Sequence, residues 1–283
     1  VRVPLALAGA LKTKSSDSLF GGLYMHRGLS TFRAFLFVAA SLCSVGSGAQ
    51  AQSSADLQFS DFGGNQAASL ELSGEARIEG SELRLTDSKK RVFAGAFVKD
   101  VVAFDDERSF SAYFSFKMSN PTCHIGLGGD GLAFVIQPGL VTAEATGSGM
   151  GFDKISSSLA IEFDTFMNTT IGDRNNNHVG INLKGTTQSS AAELAPFILN
   201  DGSIYHAWVD YNGKEQFLEV RLSQSDTRPE AALVSHTVDL APILDSRSFV
   251  GFTAGTGDCW QQHDILSFYF SKSFVAGGIR LGS

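Results

Sequence analysis

The sequence predicts an all-β domain built as an antiparallel sandwich. Three observations predict it. Beyond residue 52, apolar and polar residues alternate in short runs, the period of a strand with one buried face, and helical periodicity is scarce. The chain of 283 residues carries 23 Phe and 30 Gly, which suits an aromatic sheet core with many turns. No helical segments separate the strand runs, so the connections suit antiparallel rather than parallel pairing.

The chain opens with a different kind of segment. From Met25 it reads "MHRGLSTFRAFLFVAASLCSVGSGAQA". A short basic region (His26, Arg27, Arg33) precedes an apolar run over 34–45, and small residues follow up to Ala49-Gln50-Ala51. This is the three-part layout of a secretory signal peptide. The apolar run is too short to span a bilayer comfortably. Residues 25–51 are therefore expected to be a signal peptide, 1–24 an upstream translation artefact, and 52–283 a secreted mature domain.

Within 52–283 the strand signals follow one another. "SFSAYFSFKM" (109–118) places Phe110, Ala112, Phe114 and Phe116 on one face, with Ser109, Ser111, Tyr113 and Ser115 on the other. The runs at 131–137, 158–166, 178–185, 206–213, 216–224, 248–255 and 264–271 alternate in the same way. Asn212-Gly213 between two of them predicts a hairpin with a type I′ turn, which needs positive φ at both central residues. There is no internal repeat and no low-complexity linker, so one domain is expected.

Composition excludes several partners. The net charge is −7 and no basic block interrupts it, which argues against nucleic acid and anionic membrane surfaces. No apolar stretch after the leader is long enough to cross a membrane. Of three cysteines, Cys43 lies in the leader, and Cys123 and Cys259 remain. An even pair in an oxidising route allows a disulfide.

The chemistry concentrates in "IEFDTFMNTTIGDRNNNHVGI" (161–181). Glu162 and Asp164 are two apart on a strand, so both side chains leave the same face. Two adjacent carboxylates repel unless something positive lies between them. They suit either the acid/base pair of a hydrolase or the ligands of a metal. Asn168 and Asp173 add oxygen donors that suit Ca²⁺. His178 adds a nitrogen that suits a transition ion. The mixed set suggests two ions sharing a carboxylate, one held by oxygen alone.

Three blocks, "GGDGLAFVIQP", "LAIEFDTFMNTTIGDRNNNHVGINL" and "FVGFTAGTGDCWQQHDILSFYF", resemble in order and spacing the signature blocks of the legume-type (L-type) lectins. The central block resembles concanavalin A without a gap, and the likeness runs from about residue 57 to 270. The resemblance implies a flattened jelly-roll sandwich with Mn²⁺ and Ca²⁺ under a shallow sugar pocket. Glu162 and His178 would hold the transition ion, and Asp164 and Asp173 would bridge both ions. Asn168 and the backbone carbonyl of Phe166 would complete the calcium site.

The same resemblance assigns a pocket. Asp130, after a cis peptide from Gly129, would accept sugar hydroxyls. Asn168 would donate from its amide, and Phe166 would offer its ring. The Gly-rich loop 146–151 would supply backbone N–H groups at Ser148 or Gly149. In the loop Gly257-Asp258-Cys259-Trp260, Asp258 and Cys259 would offer N–H groups and Trp260 would extend the platform. A Cys123–Cys259 disulfide would join two walls. The ligands implied are glycans, with the shallow pocket and short last loop leaning towards mannose or glucose. A homodimer through a sheet edge or back face is left open. Asn168-Thr169-Thr170 is a glycosylation sequon, and it is expected to stay unmodified because a glycan there would destroy the calcium site.

Two rivals stand beside this reading. Some jelly-roll glucanases carry Glu, Asp and Glu at alternate positions, but the third position here is Phe166, which leaves no second catalytic carboxylate. The other rival is a sandwich that has lost sugar binding and takes a protein or small hydrophobic ligand; the complete ligand set argues against that loss. The expectation is a binding protein, not an enzyme.

Overall fold

The computed structural model describes residues 55–123, 128–140 and 144–280, which lie within one compact unit, Gln50–Ser283. The expected signal peptide and upstream segment lie outside the described residues. In chain order the first strands are β1 (Leu57–Phe59), β2 (Leu70–Gly74), β3 (Arg77–Glu79), β4 (Glu82–Thr86), β5 (Phe93–Val98), β6 (Val102–Ala103), β7 (Phe110–Thr122) and β8 (Gly131–Gln137). They continue as β9 (Leu159–Asp164), β10 (His178–Leu183), β11 (Ala191–Leu194), β12 (Ile204–Asn212), β13 (Phe217–Ser223), β14 (Val234–Thr237), β15 (Arg247–Gly255) and β16 (Trp260–Ser271).

All pairings among the described residues are antiparallel and form two sheets. A back sheet has the order β14-β13-β12-β7-β16-β4-β3, with β1 beside β16. A front sheet has the order β11-β10-β9-β8-β15-β5-β2, with β6 beside β15. Strands distant in sequence lie side by side, as β4 does with β16, so the sandwich is closed by long-range pairing.

The core lies between the sheets and is aromatic. Phe114 of β7 stacks on Phe134 of β8 at 5.7 Å between centroids and meets Phe163 and Phe252 edge-on at 5.7 and 5.0 Å. Each such ring, fully buried, contributes about 1.5–3 kcal/mol by leaving water. The runs at 109–118 and 131–137 fall on β7 and β8, as their alternation predicts.

Alternation understates the burial. Ser109, Ser111, Tyr113 and Ser115, on the outward face of β7, are buried too. The C-terminal segment lies across this face: Ile279 packs with Tyr113 and Trp208, and Val275 N donates to Ser111 Oγ at 3.0 Å. On the front sheet, Met150 and Phe152 cover Ala133, Val135 and Ala160 in the same manner.

The hairpin after β12 forms, but its turn differs from the expected type I′. Asn212 pairs with Phe217 across four loop residues, and positive φ falls on Gln216 (53°) rather than on Asn212 or Gly213. Glu215 N and Gln216 N donate to the carbonyls of Asn212 and Gly213 at 3.2 Å each, so two overlapping turns replace the tight one. A longer loop relaxes the demand for positive φ at the Asn-Gly pair.

Candidate functional site: the β8–β9–β10 edge and its loops

The register of three adjacent strands assembles the site. Across β9 and β10, Asp164 faces His178 and Glu162 faces Gly180. Across β8 and β9, Gly131 faces Asp164. Directly opposed residues share a face, so Glu162, Asp164 and His178 project together. All three are buried, at 1%, 1% and 3% exposure. Gly180 is needed here because a Cβ at its position would run into the Glu162 carboxylate and the Ser189 hydroxyl.

Hydrogen bonds hold the carboxylates in place. Glu162 accepts from Ser189 Oγ and, at 3.2 Å, from Asn182 Nδ2. His178 Nε2 stands 3.5 Å from Glu162 Oε1 and 4.0 Å from Asp173 Oδ1. Asp164 Oδ1 accepts from Phe166 N at 2.6 Å, and Asp173 Oδ2 from Asn168 N at 2.6 Å. Asn177 pins the loop from behind: its Nδ2 donates to Phe197 O at 2.6 Å, and its Oδ1 accepts from Leu199 N at 3.0 Å.

The electrostatics are those of crowded, dry anions. Burial and then the neighbouring Glu162 charge push Asp164 well above the ordinary carboxylate range. Burial likewise raises Asp173. For His178, burial pulls its pKa down, but the hydrogen bond and charge of Glu162 with the charge of Asp173 outweigh it, and the net direction is up. Each shift is one that a cation would relieve.

Asp130 lies at the far wall, 4% exposed, and the peptide joining it to Gly129 is cis. Its N–H donates to Gly255 O at 3.1 Å. Its carbonyl accepts twice from Thr165, from the N–H at 2.8 Å and from Oγ1 at 2.9 Å. Burial lifts its carboxyl to about 7, against the lowering effect of the Gly257 N–H. A Cβ on Gly129 would stand 3.3 Å from Phe166 Cβ and 3.4 Å from Cys259 Cβ, which places these walls in contact. Cys259 is bonded to Cys123, with their Cα atoms 4.5 Å apart.

The Gly-rich loop and the last loop meet through Gly147 N, which donates to Thr256 O at 3.0 Å. Ser148 and Gly149 line a neighbouring cavity of about 690 Å³ that includes Gln137 and Lys154. The last loop is braced by 89–92: Thr256 Oγ1 donates to Lys89 O at 2.6 Å, and Arg91 N to Gly257 O at 3.1 Å. Arg91 also pairs with Asp258 at 2.8 Å. Lys90 Nζ lies 4.6 Å over the Trp260 ring.

Comparison with known proteins matches this arrangement to one family. The legume lectin domain model matches residues 54–280. The chain belongs to the legume lectin family. Carbohydrate binding is the property this family implies.

The lectin is 33% identical over 234 residues to L-type lectin-domain containing receptor kinase VIII.2 of Arabidopsis thaliana, a match covering 76% of this chain and 32% of that protein. It is 32% identical to receptor kinase I.8 of the same plant, covering 75% and 35%. The lectin thus spans about a third of the length of these relatives. Among solved structures it is similar to lectin I-B4 from Griffonia simplicifolia in its metal-free form, with 27% identity and a TM-score of 0.64 over 76% of this chain and 98% of that one. Basic winged bean lectin with Tn-antigen matches at 29% identity and TM-score 0.64, over 76% and 96%. The jelly-roll sandwich of the lectin is the fold these structures share.

Among the described residues of the lectin, no three His, Cys, Asp or Glu side chains stand as a ready-made metal site. The carboxylates bond to backbone N–H groups and polar side chains instead. The fit of a cation rests on one atom: Asn168 Oδ1 is buried and accepts no hydrogen bond. A buried carbonyl oxygen without a donor costs free energy that a hard cation would recover.

Sequence reasoning missed Thr165, Thr256, Gln261, Asn177 and the 89–92 segment. The first four lie among other polar residues or glycines, in Asp164-Thr165, Asn175-Asn176-Asn177-His178, Gly255-Thr256-Gly257 and Gln261-Gln262-His263, and no periodic signal sets them apart from their neighbours. Lys89-Lys90-Arg91 is a run of three basic residues, too short to stand out as a basic block, and nothing local ties it to a loop more than 160 positions on.

Proposed function

We propose that this lectin is a secreted, metal-dependent carbohydrate-binding protein without catalytic activity. Glu162 and His178 would hold a transition ion such as Mn²⁺. Asp164 and Asp173 would bridge to Ca²⁺, with Asn168 Oδ1 and the Phe166 carbonyl completing the calcium site. Bound ions would supply the positive charge that lets Glu162, Asp164 and Asp173 and their loop share one place. The unpartnered Asn168 Oδ1, beside carboxyls whose protonation burial favours, is the observation that carries this reading.

The pocket would use Asp130 as hydroxyl acceptor, Asn168 Nδ2 as donor and the half-buried Phe166 ring as platform. Ser148, with Asp258 and Cys259, would add backbone donors, and Trp260 would edge the pocket; the Gly149 N–H is taken by Thr146 O at 3.3 Å, so Gly149 would serve only by a shift of its loop. The Cys123–Cys259 bond would join the Asp130 wall to the last loop. Asn168, with its carbonyl oxygen turned inward, would escape glycosylation; a glycopeptide carrying Asn168 from active protein would refute the site assignment.

The short 257–260 loop favours mannose or glucose. Galactose-type ligands have support of another kind: solved winged bean lectins hold Tn-antigen and methyl-α-D-galactose, the latter at 26% identity to this chain. A glycan array carrying both classes, probed with and without EDTA, tests the whole reading. Binding to one class, lost in EDTA, is expected. Cleavage of an arrayed glycan would favour a hydrolase, and no binding under any condition would favour a module that has lost its sugar site. A homodimer through a sheet edge or back face belongs to the same proposal and is read by sedimentation.

A further inference from the structure

A buried polar chain crosses the sandwich from the back sheet to the Asp130 peptide. Its members are Thr86 of β4, Gln261 and His263 of β16, and Thr165 at the end of β9. All are at most 2% exposed. Thr86 Oγ1 lies 2.6 Å from His263 Nδ1 and 3.2 Å from Gln261 O. Gln261 Nε2 lies 3.0 Å from His263 Nε2 and 2.8 Å from Thr165 Oγ1. Thr165 Oγ1 lies 2.9 Å from Asp130 O.

Gln261 Nε2 has two hydrogens and can only donate. Three acceptors surround it, Thr165 Oγ1, His263 Nε2 and the Met118 thioether Sδ at 3.2 Å. The thioether is a weak acceptor, so the two hydrogens go to Thr165 and His263, and His263 Nε2 is the bare nitrogen. The proton then sits on Nδ1, which donates to Thr86 Oγ1. The Thr86 hydroxyl is left to donate to Gln261 O. Thr165 Oγ1, having accepted from Gln261, donates to Asp130 O. Gln261 Oε1 takes Asn200 Nδ2 at 2.9 Å. In this arrangement no polar atom in the chain needs water. Such a fully satisfied buried network favours a single geometry.

The chain also underlies the segment that carries Asp130. A Cβ at Gly128 would collide with Gln261 Oε1, and it would stand 2.8 Å from Asn200 Nδ2. The Gly128-Gly129-Asp130 segment thus rests directly on the Gln261 amide.

We propose that Gln261 is a positioning residue for the carbohydrate pocket: through Thr165 it fixes the Asp130 peptide, and through His263 and Thr86 it anchors that peptide to the back sheet. This rests on the reading that Asp130 contacts the sugar. It assigns a role to two residues of β16 whose sequence context reads as plain sheet.

The test uses the full secreted chain and two independent readouts. Thr165→Val removes only the link to Asp130, Thr165→Ser keeps the hydroxyl, and Gln261→Leu removes the hub. Hydrogen exchange of the 128–132 amides needs no ligand. It should speed up at least tenfold in Thr165→Val and Gln261→Leu, stay near wild type in Thr165→Ser, and leave β12 and β13 protection unchanged in Thr165→Val. Affinity for whichever arrayed glycan the wild type binds should fall about tenfold in Thr165→Val and recover in Thr165→Ser. In the double variant the loss should be no greater than in Gln261→Leu alone, because both residues act through one link. Unchanged 128–132 exchange in Thr165→Val would overturn the proposal, as would additive losses of affinity. If the wild type binds no glycan, the carbohydrate reading fails while the exchange experiment still decides whether Gln261 positions Asp130.

Discussion

Lys90 Nζ sits 4.6 Å from the centre of the Trp260 ring, on a segment more than 160 residues away in sequence. One face of the indole proposed to edge the sugar pocket is therefore occupied by a cation from the other loop. An exposed contact of this kind is worth about 0.5–1 kcal/mol. The other Trp, Trp208, is 1% exposed, so solvent quenching of indole fluorescence reports on Trp260. Lys90→Gln should increase acrylamide quenching and shift the unfolding midpoint only slightly. Unchanged quenching would mean that Lys90 does not shield the ring.

The Cys123–Cys259 bond closes a loop of 136 residues between β7 and the last loop. Cross-links over long loops typically stabilise by about 2–4 kcal/mol. Replacing both cysteines with Ser should lower the urea midpoint by a corresponding amount and weaken glycan binding, since Cys259 packs against Gly129. Peptide mapping without reductant checks the bond first; two free thiols would mean that Cys259 is not tied to Cys123.

His263 makes the stability depend on pH in a defined direction. It is fully buried, and burial lowers its pKa to about 3 from an ordinary 6.5. Between those values the unfolded chain binds a proton that the folded chain does not. The stability contributed by neutral His263 is therefore present above about 6.5 and lost as pH falls towards 3. His263→Gln should flatten the dependence of the urea midpoint on pH across that window. Equal slopes for both proteins would contradict the assignment of a neutral, buried imidazole.

Gly180 faces Glu162 across the β9–β10 ladder with no room for a side chain. Gly180→Ala should displace the Glu162 carboxylate from Ser189 and destabilise the protein by about 1–3 kcal/mol, the range for overpacking. Transition-metal affinity, read by titration calorimetry, should fall more than glycan affinity measured at saturating metal. A metal affinity equal to wild type would show that Glu162 is not held where the register places it.

Much of the sandwich could be read from period-two patterns such as the Phe110, Phe114 and Phe116 face of β7. The alternation does not reveal what covers the opposite face. Tyr113 and Ser111 look solvent-facing until the segment around Ile279 folds over them, and that contact spans well over a hundred residues. The cluster from Glu162 to His178 was legible because its members lie within 17 positions and the strand period aims two of them together. Asp130 was legible only through resemblance. Gln261 and Thr165 carried no signal, because a buried amide or hydroxyl beside another polar residue, as in Gln261-Gln262 and Asp164-Thr165, is indistinguishable in sequence from an exposed one. The Asn212-Gly213 hairpin shows the reverse case: a strong local signal placed the turn correctly and mistook its type, since loop length decides which residues take positive φ.

Whether sugar binding depends on bound metal is decided by titration calorimetry of the metal-stripped protein with the glycan found on the array, before and after Ca²⁺ and Mn²⁺ are restored. No heat of glycan binding is expected in the stripped protein, full recovery with both ions, and no recovery in Asp164→Ala. Undiminished glycan binding by stripped protein, or by Asp164→Ala, would contradict that dependence.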